Sequence, residues 1–203
     1  MPSGDNVVNP QAYEPLPIRR VVSGRGAHRA LGEELRGLDV ARALLLTTRS
    51  LDGGVVVASV ADAGGGAIAA RFGGVSAHNP TSGVRAAAEA FAAARCDAIV
   101  ALGGGSVIDC AKAVKHMLGG DFPLLDLPTT LSGAEWAASF GQTDDETRIK
   151  GGYRARELFA DVVLLDVEVA SQTPEWLWSS TGFRAIDHAV EAILADNAHP
   201  YLD

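Results

Sequence analysis

The stretch AIVALGGGSVIDCAKAV, residues 98–114, decides the fold. Its first five residues, 98–102, are apolar without alternation, the pattern of a strand buried on both faces. Gly103, Gly104 and Gly105 break that run, and after Ser106 an Ala-rich stretch, 107–117, carries its apolar residues at helical spacing. A buried strand, a tight turn and a helix make one half of a βαβ unit. The turn also has a chemical reading. The first N–H groups of a helix lack intrahelical acceptors, so a helix entered through glycines offers an anion site that a diphosphate can approach closely. The Ser106 hydroxyl is placed either to cap the helix or to donate to a phosphate oxygen. A plain glycine-rich strand-to-helix turn accounts for the same residues, and neither a GxGxxG fingerprint nor a GK[ST] ending is present.

Working outward, further strands are predicted at 20–23, 43–47, 68–72, 123–127 and 162–166, with helices at 27–36, 55–63 and 82–94. The alternation predicts an α/β fold with a Rossmann-like parallel sheet flanked by helices. Residues 133–152 interrupt the rhythm with small, polar and charged residues and are expected to form an irregular or hairpin excursion, a place where ligands are often covered. Gly64, Gly65 and Gly66 predict a surface turn. Thr173 and Pro174 open a helical region in which Phe183, Ile186, Val190 and Ile193 recur at helical spacing. The expected division is an α/β domain over 1–170 and the start of an all-helical domain over 171–203.

With 203 residues, 47% of them hydrophobic, the chain can bury a large core. Its net charge of −8 and scattered arginines argue against nucleic acid and anionic membrane as partners. No stretch of about eighteen unbroken apolar residues occurs and the first residues lack a signal-peptide pattern, so a cytoplasmic protein is expected. Cys96 and Cys110 form no CxxC pair and are expected to be reduced structural thiols. Asp109 and Lys112, three apart on one helix face, either form an ion pair or line whatever binds at the glycines.

The string GGGSVIDCAKA resembles the GGGSxxDxAKA signature of the iron-containing alcohol dehydrogenases. Four more pieces fall in the family's order: RFGGVSAHNP at 71–80, LPTTLSGAE at 127–135, DVVLLD at 161–166 and STGFRAIDHAVEA at 180–192. The PTTLSGAE and RAIDHAVEA spellings are most similar to the maleylacetate reductase branch and unlike the related dehydroquinate synthase and glycerol-phosphate dehydrogenase groups. The resemblance implies an NAD(P)-dependent oxidoreductase moving a hydride to or from a small carbonyl, enol-acid or alcohol substrate. It implies diphosphate binding at Gly104, Gly105 and Ser106, and cofactor contacts from Thr47, Asn79, Asp109, Thr129, Thr130 and Lys150. For Thr129 and Thr130, capping of the turn after Pro128 is the alternative, and for Lys150 a solvated charge.

Two positions depart from the family. Many members place an aspartate at the end of the second strand, against the adenosine ribose, where this chain has Thr47, Thr48 and Arg49. Without that carboxylate, NADP is expected to be tolerated as well as NAD. Metal-dependent members carry an Asp and a His four apart on the first helix of the second domain, and the matching residues are Arg184 and His188. A guanidinium cannot ligate a cation, which puts iron or zinc at His188 in doubt. Asp187 points about 100° away on an ideal helix. Arg184 is placed either to bind a substrate carboxylate or to pair with Asp187 or Glu191, and His188 to donate a proton, bind a carboxylate or sit in a core. The family continues well beyond Asp203, so the expectation includes a truncated nucleotide-binding module with little or no turnover. Apolar residues left exposed on the last helix predict a homo-oligomer.

Overall fold

The computed structural model describes residues 15–195. In chain order its strands are β1 (Arg20–Ser23), β2 (Ala43–Thr48), β3 (Ile68–Val75), β4 (Ala98–Gly103), β5 (Leu124–Pro128), β6 (Ser139–Thr143), β7 (Lys150–Arg154) and β8 (Val162–Leu165). The helices are α1 (Leu31–Gly37), α2 (Val55–Gly64), α3 (Thr81–Ala93), α4 (Gly105–Leu118), α5 (Val167–Ala170) and α6 (Glu175–Leu194). Six strands form one parallel sheet in the order β1-β8-β5-β4-β2-β3, and β6 pairs antiparallel with β7 as a separate hairpin.

The central strands are apolar on both faces because helices cover both. Leu44, Leu46, Ile99, Ala101, Leu124 and Val163 pack with residues of α3 and α4. Their neighbours Leu45, Val100, Leu102, Leu125, Leu127 and Leu164 pack with residues of α1 and α2 on the other side. This period of two on each strand divides the core into two layers. The edge strands differ: β1 is largely exposed, and β3 is half-buried along most of its length.

The chain leaves β2 through α2 toward β3, and leaves β4 through α4 toward β5, so the connections depart on opposite faces and in opposite directions. The crevice at the carboxyl ends of β2 and β4 is therefore the topological switch point, where ligands bind in open α/β sheets.

Boundaries follow local bonds more closely than composition. The predicted helix 27–36 is a 3-10 turn, Ala27–Ala30, followed by α1, because His28 is held to Asp166 by its backbone and its ring. The predicted strand 162–166 ends at Leu165, since Asp166 turns its carboxylate to accept from Glu168 N at 2.8 Å and caps α5. The 133–152 excursion is the β6–β7 hairpin. The predicted glycine turn at 64–66 closes α2: Gly64 is buried at the helix end, while Gly65 and Gly66 are exposed in a 3-10 turn. The last helix begins just after Pro174, as the sequence predicts, and has no buried residue. No helix among the described residues is long and apolar enough to cross a membrane.

Candidate nucleotide cradle and its clamp

The glycine turn sits at the switch point. A Cβ on Gly103 would lie 2.5 Å from Val107 Cγ2, and one on Gly104 would lie 2.9 Å from Thr130 Cγ2, so side chains are excluded by the structure already present. Helix α4 starts at Gly105 with Gly104 as its cap residue and no side-chain cap. Ser106 is thus the second helical residue, and the expectation that its hydroxyl caps the helix is corrected by the earlier start. No acceptor among the described residues takes the N–H groups of Gly105 and Ser106, which leaves them available to an anion.

Three threonines flank this turn. Thr129 N donates to Gly103 O at 3.0 Å, tying the end of β5 to the end of β4. Thr130 is buried beside Gly104, and its Oγ1 has no hydrogen-bond partner. Thr47, at the end of β2, is fully buried with an equally unpartnered Oγ1. Buried hydroxyls without partners cost free energy. Here two of them border the switch point, alongside the unpartnered N–H groups.

Asn79, Asp109 and Lys150 gather around a different residue, Gly141 of β6. Asn79, in the left-handed region at φ 47°, donates from Nδ2 to Gly141 O at 3.3 Å and accepts from Thr143 N at 3.1 Å. Its Oδ1 is buried and unpartnered. Asp109 accepts from Gly141 N at 3.1 Å, and Lys150 Cε lies 3.0 Å from where a Gly141 Cβ would be. These three residues hold the hairpin beside α4. The Asp109–Lys112 ion pair expected from spacing does not form, because both side chains are drawn to the hairpin instead.

Spacing offers Lys112 either as the partner of Asp109 or as a lining residue at the glycines; it is a completely buried clamp. Its Nζ donates to Ala134 O at 2.6 Å, Ala137 O at 2.5 Å and Ser139 O at 3.4 Å. Beneath it lies Asp126, the one polar residue between the apolar positions of LLDLP, with both carboxylate oxygens buried and without partners. Burial pushes the Asp126 carboxyl up to about 8, against the pull of Lys112. Burial likewise raises Asp109 and Glu135, and lowers the Lys112 ammonium against the attraction of Asp126, Asp109 and Glu135. The sequence signal was available for Asp126, an acid inside an apolar strand. None pointed to Thr173, whose Oγ1 donates to Thr129 O at 2.6 Å, or to Thr181, which accepts from Leu131 N at 3.2 Å.

Arg184 and His188 are both exposed on α6. The alternative pairing of Arg184 with Asp187 or Glu191 is absent among the described ion pairs. The described His, Cys and acidic residues that cluster closely enough to hold a metal are His28, Asp166 and Glu168, a group that does not include His188.

A doubly wound parallel sheet with an open glycine turn at its switch point defines a Rossmann-like α/β protein. The family model described as iron-containing alcohol dehydrogenase matches residues 18–167, and the chain belongs to that family. Maleylacetate reductase of Rhizobium sp. strain MTP-10005 is 34% identical over 201 residues, covering 95% of this chain and 53% of the relative. The crystal structure of maleylacetate reductase from Agrobacterium tumefaciens superposes with a TM-score of 0.85 at 32% identity, over 95% of this chain and 53% of that one. Sulfoacetaldehyde reductase from Bifidobacterium kashiwanohense, solved in complex with NAD+, shares the fold with a TM-score of 0.87 at 22% identity, over 94% and 56% of the two chains. The chain spans about half the length of these relatives.

Proposed function

We propose that this chain is the nucleotide-binding half of a cytoplasmic NAD(P)-dependent oxidoreductase acting on a small carbonyl, enol-acid or alcohol substrate of the maleylacetate kind. The observation that carries the reading is the side-chain-free turn at Gly104 and Gly105, with unpartnered N–H groups and the idle Thr130 hydroxyl beside it. NAD(P) fits this donor set: the Gly105 and Ser106 amides would take the diphosphate, and Thr47 and Thr130 would turn hydroxyls toward the cofactor. Asn79, Asp109 and Lys150 would hold the hairpin at the cofactor's side. When bound, the nicotinamide supplies or accepts the hydride. Arg184 would orient a substrate carboxylate and His188 would hold the proton that accompanies hydride transfer. The absence of an acid in Thr47, Thr48 and Arg49 supports acceptance of NADP as well as NAD.

Iron or zinc does not fit the residues present. Arg184 stands where the first metal ligand would be, and His188 is in no close cluster of ligating groups among the described residues. No step is therefore assigned to a metal. A second reading, nucleotide binding with little or no turnover, is favoured by the exposure of Arg184 and His188, neither of which has an ion pair among the described residues. The exposed Phe183, Ile186 and Ile193 on the same helix favour a homo-oligomer.

The test is a fluorescence titration with NADH and NADPH, comparing the protein with Gly104→Val. Binding at roughly micromolar level that weakens by about 100-fold in the variant supports the cradle; that loss corresponds to about 2.7 kcal/mol. Equal affinity of the two proteins, or no binding to either, removes it. Loss of reduced-nicotinamide absorbance with maleylacetate, undiminished by a chelator, then separates the oxidoreductase from the silent module.

A further inference from the structure

On the face of the sheet opposite α4, three side chains that the cofactor reading does not use form a hydrogen-bonded line. Asp166 Oδ2 is bonded to His28 Nδ1, and His28 Nε2 lies 2.8 Å from Ser59 Oγ. The order is enforced from the carboxylate end. Asp166 accepts from His28 N at 2.9 Å, Gly26 N at 3.1 Å and Glu168 N at 2.8 Å, so it is fixed in place and acts as an acceptor only. Burial alone would raise this carboxyl, but those bonds outweigh it and hold it below its ordinary value, hence ionised. The Asp166 carboxylate holds His28 Nδ1, which directs Nε2 at the Ser59 hydroxyl. His28 and Asp166 are buried, whereas Ser59, on α2, is exposed.

His28 and Ser59 line a cavity of about 250 Å³ with Val55, Val56 and Val169 as its apolar walls and Glu168 and Gln172 as its other polar groups. His28, Asp166 and Glu168 are also near enough together to suggest a cation site. However, the Asp166 oxygens are filled by N–H donors, and Glu168 is paired with Arg25 at 3.5 Å and Arg29 at 3.3 Å. A hydroxyl nucleophile, a base of fixed orientation and an orienting carboxylate are the parts of an acyl-transfer site.

We propose that Ser59, His28 and Asp166 form a second catalytic site, independent of the nucleotide cradle, that hydrolyses esters of small apolar carboxylic acids. Ser59 Oγ bonds to the ester carbonyl carbon while its proton passes to His28 Nε2. The Gln172 amide is the available donor to the carbonyl oxygen as it gains charge. The carbon–oxygen bond to the alcohol breaks, and the alcohol leaves with the proton from Nε2. Water then adds to the acyl carbon, its proton goes to Nε2, and Ser59 leaves with that proton as the free acid is released. Asp166 remains ionised and positions the ring throughout. The three valines suit a short alkyl acyl group.

The experiment pairs p-nitrophenyl butyrate hydrolysis with diisopropyl fluorophosphate labelling, read by peptide mass, on the full chain and on Ser59→Ala. Ser59 is exposed, so the variant should retain its circular dichroism and its NADH titration. The expected result is one adduct per chain at Ser59, absent from the variant, and hydrolysis reduced by about 100-fold. Labelling spread over other hydroxyls, an equal rate in Ser59→Ala, or no adduct at all would overturn the proposal. Any of these outcomes leaves the nicotinamide titration, and so the cofactor reading, untouched.

Discussion

Replacing Lys112 by methionine removes the clamp between α4 and the hairpin while nearly conserving its volume. The wild-type ammonium makes three hydrogen bonds to carbonyls, two of them at 2.6 and 2.5 Å. Bonds from a charged donor contribute about 1.5–3 kcal/mol each, but three that share one nitrogen are not additive, and methionine recovers part of the burial. The three acceptors, on half-buried residues, lose their charged donor, and the charge that opposes Asp126, Asp109 and Glu135 is lost. A destabilisation of about 3–5 kcal/mol follows. With a urea slope of about 2–3 kcal/mol/M for a chain of this size, the unfolding midpoint should fall by roughly 1–2 M. Amide exchange sharpens the test: β6 and β7 should lose protection first, because the clamp holds the hairpin's entry. Adding Asp126→Asn to Lys112→Met should restore part of the loss, since the unpaired acid beneath is then removed. A midpoint within about 0.3 M of wild type, or loss of protection confined to the main sheet, would refute the clamp.

Asp126→Asn alone should change the pH dependence of stability. The folded chain holds a proton on Asp126 between the ordinary value of 3.8 and about 8, where the unfolded chain has released it. Stability from this group is therefore present at low pH and is lost as pH rises through that window, at up to about 1.4 kcal/mol per pH unit. Melting temperatures of wild type should fall relative to the variant from about pH 5 to pH 8, and parallel curves would contradict the assignment. Cys110, pushed from 9.0 up to about 12 chiefly by burial, should alkylate with iodoacetamide at least roughly a thousandfold more slowly in the folded chain than in urea, as tracked by mass. Comparable rates would place the thiol at the surface.

The parallel sheet was legible because its strands are uninterrupted apolar runs, and the switch point because the glycines follow one of them. The stretch LLDLP shows where reading by pattern stops. Four of its five residues are apolar, so strand β5 is predicted within one residue of its ends, yet the acid that matters most for the clamp is hidden inside that success. Lys112 was mis-paired for a related reason. Spacing along a helix specifies which residues share a face, but not what packs against it, and the three carbonyls that bind Lys112 come from residues 134–139, more than twenty positions away. The candidate site was found as a set of positions, and the structure divides that set. Thr47, Thr130 and the glycines border the crevice, Asn79, Asp109 and Lys150 converge on Gly141, and Arg184 and His188 stand apart on α6. Ser59 and His28 escaped sequence reading altogether, because 31 residues separate partners whose meeting depends on the turn after β1 packing against α2.

The attachment of α6 has a mechanical consequence. With no buried residue of its own, the helix is moored through side-chain hydroxyls: Thr173, just before it, grips the carbonyl of Thr129, and Thr181 within it receives the amide of Leu131. Both moorings lie on the loop whose other bond runs from Thr129 to Gly103. A load applied to α6 is delivered through Thr129 to Gly103 of the glycine turn instead of being dissipated in a core. The loop works as a short linkage rod, and the stiffness of the turn is set in part by whatever pulls on that helix.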